Sequence, residues 1–83
     1  MLIYRAATGA IDNVRLAGPI VSLEELQKAV GGYIEVIPGS RLRAYCNEDG
    51  HRLQLPRNVF ASARFHQLLV GDVAALEPGE RVG

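Results

Sequence analysis

The clearest local signal in the sequence is VSLEELQKAVGG, residues 21–32. Ser22 followed three residues later by Glu25 is typical of a capping box, in which each side chain binds the backbone amide of the other residue. Val21 and Leu26 take the two positions of a hydrophobic staple, which fixes how the chain enters a helix. The pattern therefore predicts a helix that begins directly after Ser22.

One face of this predicted helix is apolar. Leu23, Leu26 and Val30 recur at helical spacing, and such a stripe is normally buried against the rest of the protein. Gly31-Gly32 supplies the left-handed residue with which many helices end. The sequence thus predicts one short helix that packs through a single stripe.

Strands are predicted on both sides of the helix. LIYRA (2–6) is rich in β-formers, and NVRLA (13–17) alternates between apolar and polar residues. After the helix, YIEVI (33–37) and RLRAYC (41–46) are separated by Pro-Gly-Ser, so a hairpin is expected. A three-residue loop predicts these cross-strand pairs: Ile37 with Arg41, Val36 with Leu42, Glu35 with Arg43, Ile34 with Ala44 and Tyr33 with Tyr45.

A second hairpin is predicted from CNEDGHRLQLPRN, residues 46–58. Asp49-Gly50 is a favoured type I′ turn, because both of its central residues need positive φ. That turn places Cys46 opposite Leu53 on the buried face and leaves the polar tip in solvent. Pro56 ends the third strand, and Asn58 is expected to cap the turn that follows.

The last third of the chain is harder to interpret. VFASARFHQLL (59–69) fits a short helix or a loop, and LVGDVAALEP (69–78) fits a closing strand. The expected fold is α+β, with a small mixed or antiparallel sheet and one main helix packed on one face. Its order is β-β-α-β-β-β-(short helix or loop)-β, a layout similar to β-grasp folds. We expect one domain over residues 1–78 and a flexible tail over 79–83.

The composition limits the classes of function. The chain has 83 residues, nine basic and nine acidic side chains, and 48% hydrophobic residues. A zero net charge counts against a nucleic-acid-binding domain, which usually carries a basic excess. The single cysteine fits a reducing cytoplasm, and the N-terminal residues resemble neither a signal peptide nor a membrane span. A core this small makes self-association a reasonable expectation.

Catalytic and metal-binding patterns are weak. Cys46, Asp49, His51 and His66 could supply metal ligands, but neither a Cys-x₂₋₄-Cys nor a His-x₃₋₅-His pair is present. A nucleophilic Cys46 would need a base within hydrogen-bond reach, and the predicted hairpin gives it Leu53 instead. We therefore predict no metal, no cofactor and no enzymatic activity, with an activity at Cys46 kept as an alternative.

A basic and aromatic face is the best candidate site. The predicted hairpins bring together tyrosines and arginines of the kind enriched in protein interfaces, and we expect a protein partner to bind through this sheet face or through an edge strand. The same face could stack single-stranded bases, so a nucleic acid is the alternative partner. The candidate binding residues are Tyr33, Arg41, Arg43, Tyr45, Arg52 and Arg57.

Several segments in order resemble a known family. AVGGYIEVIP (29–38), NEDG (47–50), LPRN (55–58) with Ala61-Ser62 soon after, and LLVGDVAAL (68–76) are similar to the domain of unknown function 3846. The resemblance covers about residues 20–78. His51 and Arg52 stand where the family usually continues with a lysine-rich Gly-Lys-Leu segment, so no binding role is carried over to this tip.

The resemblance implies a biological context but no particular enzymatic reaction. Members of this family are small proteins of phages, plasmids and bacterial genomes, and no enzymatic activity is established for them. It therefore implies a mobile-element or host-modulating context. A weaker similarity links GDVAALEPGERVG (71–83) to β-grasp sulfur carriers, which end in Gly-Gly, whereas this chain ends in Val82-Gly83.

Overall fold

The computed structural model describes all 83 residues of the chain. It contains two helices and seven short strands, in the following order: β1 (Leu2–Tyr4), β2 (Ile11–Asn13), β3 (Ile20–Val21), α1 (Leu23–Val30), β4 (Ile34–Val36), β5 (Ala44–Asn47), α2 (Val59–Phe65), β6 (Val73–Ala75) and β7 (Arg81–Val82). The α+β class and the single main helix are confirmed. α2 lies in the segment 59–69, where the sequence fits either a short helix or a loop.

Five strands form one sheet in the order β2-β1-β6-β5-β4, and every pairing in it is antiparallel. The closing strand β6 therefore lies at the centre, between β1 and β5. The two remaining strands, β3 and β7, form a separate parallel pair. The sheet consequently has two open edges, at β2 and at β4.

Side chains alternate between the two faces of the sheet along each strand, and one helix packs on each face. On one face α1 packs over a cluster that contains Ile3, Tyr45 and Ala74. On the other face, Tyr4 and Val73 share a second cluster with Ala61 of α2. Helix α1 covers one face as predicted, while α2 closes the opposite one.

The start and end of α1 follow the sequence pattern. The Ser22 hydroxyl accepts a hydrogen bond from the Glu25 amide at 3.1 Å, and the Glu25 carboxylate accepts one from the Ser22 amide at 3.1 Å. Gly31 ends the helix with φ at 77°. Leu26 is fully buried, as expected, but Leu23 is 48% exposed. The buried stripe therefore starts at Leu26 rather than at Leu23.

The predicted register of the first hairpin is wrong. Glu35 pairs with Cys46 rather than with Arg43, and Val36 pairs with Tyr45 rather than with Leu42. The turn is longer than three residues, because Arg41 and Leu42 both adopt left-handed backbone angles, with φ of 57° and 62°. A shift by an odd number of residues turns every side chain of one strand to the other face.

The predicted second hairpin does not form either. The Leu53 amide donates to the Asp49 carbonyl at 2.8 Å, and the Leu55 amide donates to the Gly50 carbonyl at 3.0 Å, so residues 48–54 form helix-like turns. Gly50 has no positive φ. It is needed for space, since a Cβ there would lie 2.9 Å from Val70 Cγ2. The strand that pairs with β5 at the position predicted for Leu53 and its neighbours is β6.

Asn58 joins three parts of the chain. Its side-chain amide donates to the carbonyls of Tyr4 at 2.8 Å and of Gly71 at 2.9 Å, and its side-chain oxygen accepts from the Ala61 amide at 3.1 Å. The side chain is 1% exposed. The predicted capping role is confirmed, and the same residue also fastens α2 to the end of β1.

Residues 79–83, expected to form a flexible tail, are held against the body of the protein. β7 pairs with β3, and the Gly83 amide donates to the Val21 carbonyl at 3.2 Å. The Glu80 carboxylate accepts hydrogen bonds from the Met1 ammonium at 3.0 Å and from the Glu77 amide at 2.8 Å. None of the helices is long and apolar enough to cross a membrane.

The contacts of Glu80 predict a pH-dependent stability. Burial raises the pKa of this carboxyl group, but the hydrogen bonds from Glu77 and Met1 and the charge of Arg43 outweigh burial, so its pKa is lowered overall. A lowered pKa stabilises the fold above the unfolded-state value of about 4.3, and this contribution is lost as the pH falls through the folded-state pKa.

We therefore expect Glu80→Gln to be less stable than the wild type at pH 6 and to lose less stability between pH 6 and pH 3. Urea unfolding at both pH values measures this difference. Glu48→Gln is the control, because Glu48 is exposed and forms no ion pair. If wild type and Glu80→Gln lost the same free energy of unfolding over this range, the assignment would be wrong.

Candidate functional site

The predicted tyrosine-arginine face is not assembled in the structure. Tyr45, its expected centre, is only 4% exposed and lies under α1 in the core. Its hydroxyl donates to the Leu42 carbonyl at 2.7 Å, and burial raises its pKa while the charge of Arg43 lowers it by less. The revised register explains the change, because it turns Tyr45 away from solvent.

Arg43 is occupied by a structural role. Its guanidinium group donates to the Glu80 carbonyl at 2.8 Å and to the Glu77 carbonyl as well. These bonds hold the turn between β6 and β7 against the start of β5. Arg43 was expected to pair with Glu35 across the hairpin, and that pair does not form.

The other four predicted binding residues are exposed but do not lie on one sheet face. Tyr33 precedes β4, and Arg41 lies in the loop that follows it. Arg52 projects from the 48–54 turns and forms an ion pair with Asp49 at 3.2 Å. Arg57 lies in the segment that bridges to Val70. Of this set, only Tyr33 and Arg41 flank the same strand.

Cys46 is half-buried and lies opposite Glu35 on β4. Burial raises the pKa of its thiol, and the negative charge of Glu35 raises it further. A nucleophilic cysteine requires the opposite arrangement, with a lowered pKa in an electropositive setting. No group of three or more His, Cys, Asp or Glu side chains could hold a metal ion. Cys46 therefore lies in an environment that keeps the thiol protonated at neutral pH.

A cleft of about 630 Å³ lies beside α2 and is floored by side chains of β1 and β6. Its two cations are Arg43 and Arg64. Arg43 is bound to backbone carbonyls, and Arg64 lies 5.2 Å from the centre of the Phe65 ring. The cleft thus offers a ligand one guanidinium group, that of Arg64, which forms no hydrogen bond within the protein.

The feature best suited to binding is the free edge of β4, which sequence reasoning placed inside a hairpin but did not single out. The Glu48 amide donates to the Tyr33 carbonyl at 3.0 Å, and the Ile37 amide donates to the Ala44 carbonyl at 2.9 Å. Antiparallel ladders alternate, so residues 33, 35 and 37 bond inward to β5. The amides and carbonyls of Ile34 and Val36 consequently point outward, and no strand lies beyond them.

Exposed apolar side chains surround this edge. Val36 is 36% exposed on the strand, Tyr33 is 68% exposed at its start, and Leu42 is 66% exposed in the loop that follows. Leu42 also holds a left-handed φ of 62°, a conformation that is costly for a bulky residue. Strained backbone of this kind clusters at functional sites. Unpaired backbone groups and apolar side chains together make β4 suitable for pairing with another strand.

The opposite edge differs in charge. On β2, the Asp12 carboxylate accepts a hydrogen bond from Arg5 at 2.7 Å, and Arg5 also reaches Asp72 at 3.2 Å. A charged network lying on an edge strand discourages pairing with other chains. On β4, by contrast, the central Glu35 is exposed and has no ion-pair partner. The β4 edge therefore lacks an ion-pair network of the kind that Asp12 anchors at the β2 edge.

The comparison with protein families gives a match over nearly the whole chain. The family model described as a domain of unknown function (DUF3846) matches residues 2–82. No curated protein and no solved structure matches the chain. The match includes all nine strands and helices, from β1 to β7. The chain therefore belongs to the DUF3846 family, whose function is not known.

Proposed function

We propose that this protein is a non-enzymatic interaction module that binds a protein partner by adding one of the partner's strands to the edge of β4. The observation that carries the proposal is the pair of outward-facing backbone positions at Ile34 and Val36. In this binding mode, main-chain hydrogen bonds provide affinity and alternate side chains provide specificity. Of the two expected modes of binding, through a sheet face or through an edge strand, the proposal takes the edge strand, because both faces are covered.

The exposed residues at the two ends of β4 would extend such an interface. Tyr33 and Leu42 are large and apolar, and Arg41 lies beside Leu42 in the loop. Tyrosine and arginine are enriched in interfaces. Of the six predicted binding residues, Tyr33 and Arg41 thus lie within the proposed interface.

Substituting Val36 with lysine should abolish partner binding. A lysine on an edge strand opposes strand pairing through its charge and its bound water, and Val36 is 36% exposed, so that the lysine ammonium group can reach solvent. Ile11→Lys is the matched control, because it makes the same aliphatic-to-lysine change on the opposite edge, where Ile11 is 52% exposed. The measurement is quantitative affinity purification from host lysate with wild type, Val36→Lys and Ile11→Lys.

We expect at least one protein of the host or of a mobile element to be retained by the wild type and by Ile11→Lys and to be lost with Val36→Lys. Equal retention by all three proteins would refute binding at β4. The melting temperatures of the two variants must agree with each other, so that a loss of binding is not mistaken for unfolding.

The expected alternatives find less support. A single-stranded nucleic-acid binder would need exposed aromatic side chains flanked by free cations, whereas Tyr45 is buried and Arg43 is bound to carbonyls. A sulfur carrier would need a free terminal extension, whereas the Gly83 amide is hydrogen-bonded to Val21. Within the proposal, the single cysteine supports a reducing, cytoplasmic location, and the family resemblance supports an association with mobile elements.

A further inference from the structure

Glu35 lies at the centre of the open edge and determines what kind of strand fits there. We propose that the partner strand carries a lysine or arginine between two apolar residues, with the basic side chain facing Glu35. This inference rests on the proposed function and adds the chemistry of the partner to it.

The hydrogen-bond pattern fixes which residues face one another. Since the outward amides and carbonyls belong to Ile34 and Val36, an added antiparallel strand forms its hydrogen-bonded pairs with these two residues. Glu35 then lies in a non-hydrogen-bonded pair with the new strand, where opposed side chains approach most closely. The partner residue opposite Glu35 points to the same side of the sheet as Glu35.

The charge at this position is not balanced within the protein. Glu35 is exposed, and none of the ion pairs of the fold includes it. Its inward neighbour is Cys46, which carries no charge when its thiol is protonated. Opposite charges across a strand pair are stabilising and like charges are destabilising. A basic residue is therefore the complement that this position lacks.

The two neighbouring positions require apolar residues. Ile34 packs against the cluster under α1, and Val36 points to the same side of the sheet, beside Tyr45. Partner residues opposite Ile34 and Val36 also point to this side, where they would continue the apolar surface. The result is an apolar–basic–apolar pattern in the partner strand.

The same geometry disfavours a second copy of this chain as the occupant. In the register that pairs the two outward residues with each other, Ile34 of one copy faces Val36 of the other. Glu35 would then lie directly opposite the same residue of the second copy, and the two like charges would repel each other. Charge complementarity therefore selects a partner strand with a different sequence.

The test uses two end-blocked nine-residue peptides that differ only at the central position, which is lysine or glutamate between two valines. Isothermal titration calorimetry at low salt gives their dissociation constants for the wild type, for Glu35→Lys and for Val36→Lys. We expect the wild type to bind the lysine peptide about five-fold or more tightly than the glutamate peptide. Glu35→Lys should reverse the preference, and Val36→Lys should bind neither peptide.

The outcomes separate this inference from the proposed function. If both peptides bind the wild type equally and Val36→Lys binds neither, strand addition stands and the role of Glu35 is refuted. If Val36→Lys binds as well as the wild type, or if no peptide binds any protein, strand addition at β4 itself is refuted. The preference should also shrink as salt is added, because exposed charges are screened.

Discussion

Asn58→Ala should lower the free energy of unfolding by about 3 kcal/mol, the largest effect we expect from any single polar side chain. The substitution removes the hydrogen bonds that the Asn58 side chain donates to the carbonyls of Tyr4 and Gly71, and it removes the cap of α2. Buried polar groups that lose a partner cost about 1–3 kcal/mol each, and loss of a cap costs about 1 kcal/mol. A domain of this size is only marginally stable, so much of its stability would be lost.

The measurement is thermal and urea unfolding of Asn58→Ala beside Asn13→Ala, which removes an exposed asparagine from β2. The melting temperature of Asn58→Ala should fall by about 15 °C, since 1 kcal/mol shifts a domain of this length by about 5 °C. Asn13→Ala should remain near the wild type. Asn58→Asp separates the two roles of the side chain, because it keeps the cap and loses both donors. Wild-type stability for Asn58→Ala would contradict this role.

Gly32→Ala should lower the free energy of unfolding by about 2 kcal/mol, because the added methyl group meets a side chain that is buried and held by two hydrogen bonds. A Cβ at Gly32 would lie 2.7 Å from Asn47 Nδ2. Asn47 is 6% exposed, and its side chain donates to the Val30 carbonyl at 3.3 Å and accepts from the Asp49 amide at 2.8 Å. Either these bonds break or the end of α1 moves.

Gly18→Ala is the matched control, since Gly18 has no positive φ and no atom within 4 Å of its added Cβ. It should unfold at the wild-type urea concentration. A double-mutant cycle with Asn47→Ala adds a second test, because additivity fails for residues in contact. Gly32→Ala should cost far less in the Asn47→Ala background. An equal cost in both backgrounds would show that Asn47 is not the obstacle.

Local patterns in the sequence predict the helix and the class of the fold. The capping box at Ser22 and Glu25 and the glycine stop at Gly31 depend only on neighbouring residues, and both are present in the structure. The cap at Asn58 is local in the same sense. Such signals are informative because the hydrogen bonds that they predict close within one turn.

The strand register was not predictable in this way. The alternation of Tyr33–Ile37 and Arg41–Cys46 fits two registers, and the choice between them depends on the left-handed backbone at Arg41 and Leu42. Neither residue favours that conformation, so nothing in the local sequence indicates it. Likewise, Asp49-Gly50 is typical of a hairpin, but β6, a distant segment, takes the position beside β5.

The candidate site depended on this register. The predicted tyrosine-arginine face required Tyr45 and Arg43 to point outward. In the observed register Tyr45 is buried, and Arg43 is hydrogen-bonded to backbone carbonyls. The open edge of β4 could be recognised only once β5 was known to pair on one side and no strand on the other. Glu35 was visible in the sequence, but its lack of a charge partner was not.

Amide hydrogen exchange at Ile34 and Val36 is the most direct test of strand addition at β4. In the free protein these two amides should exchange rapidly, while the Glu35 amide, which bonds to β5, should be protected. Saturation with the lysine peptide should slow exchange at Ile34 and Val36 and leave the outward amides of the β2 edge, at Ile11 and Asn13, unchanged. Unchanged exchange at Ile34 and Val36 in the peptide-bound protein, or slowing at the β2 edge instead, would contradict strand addition at β4.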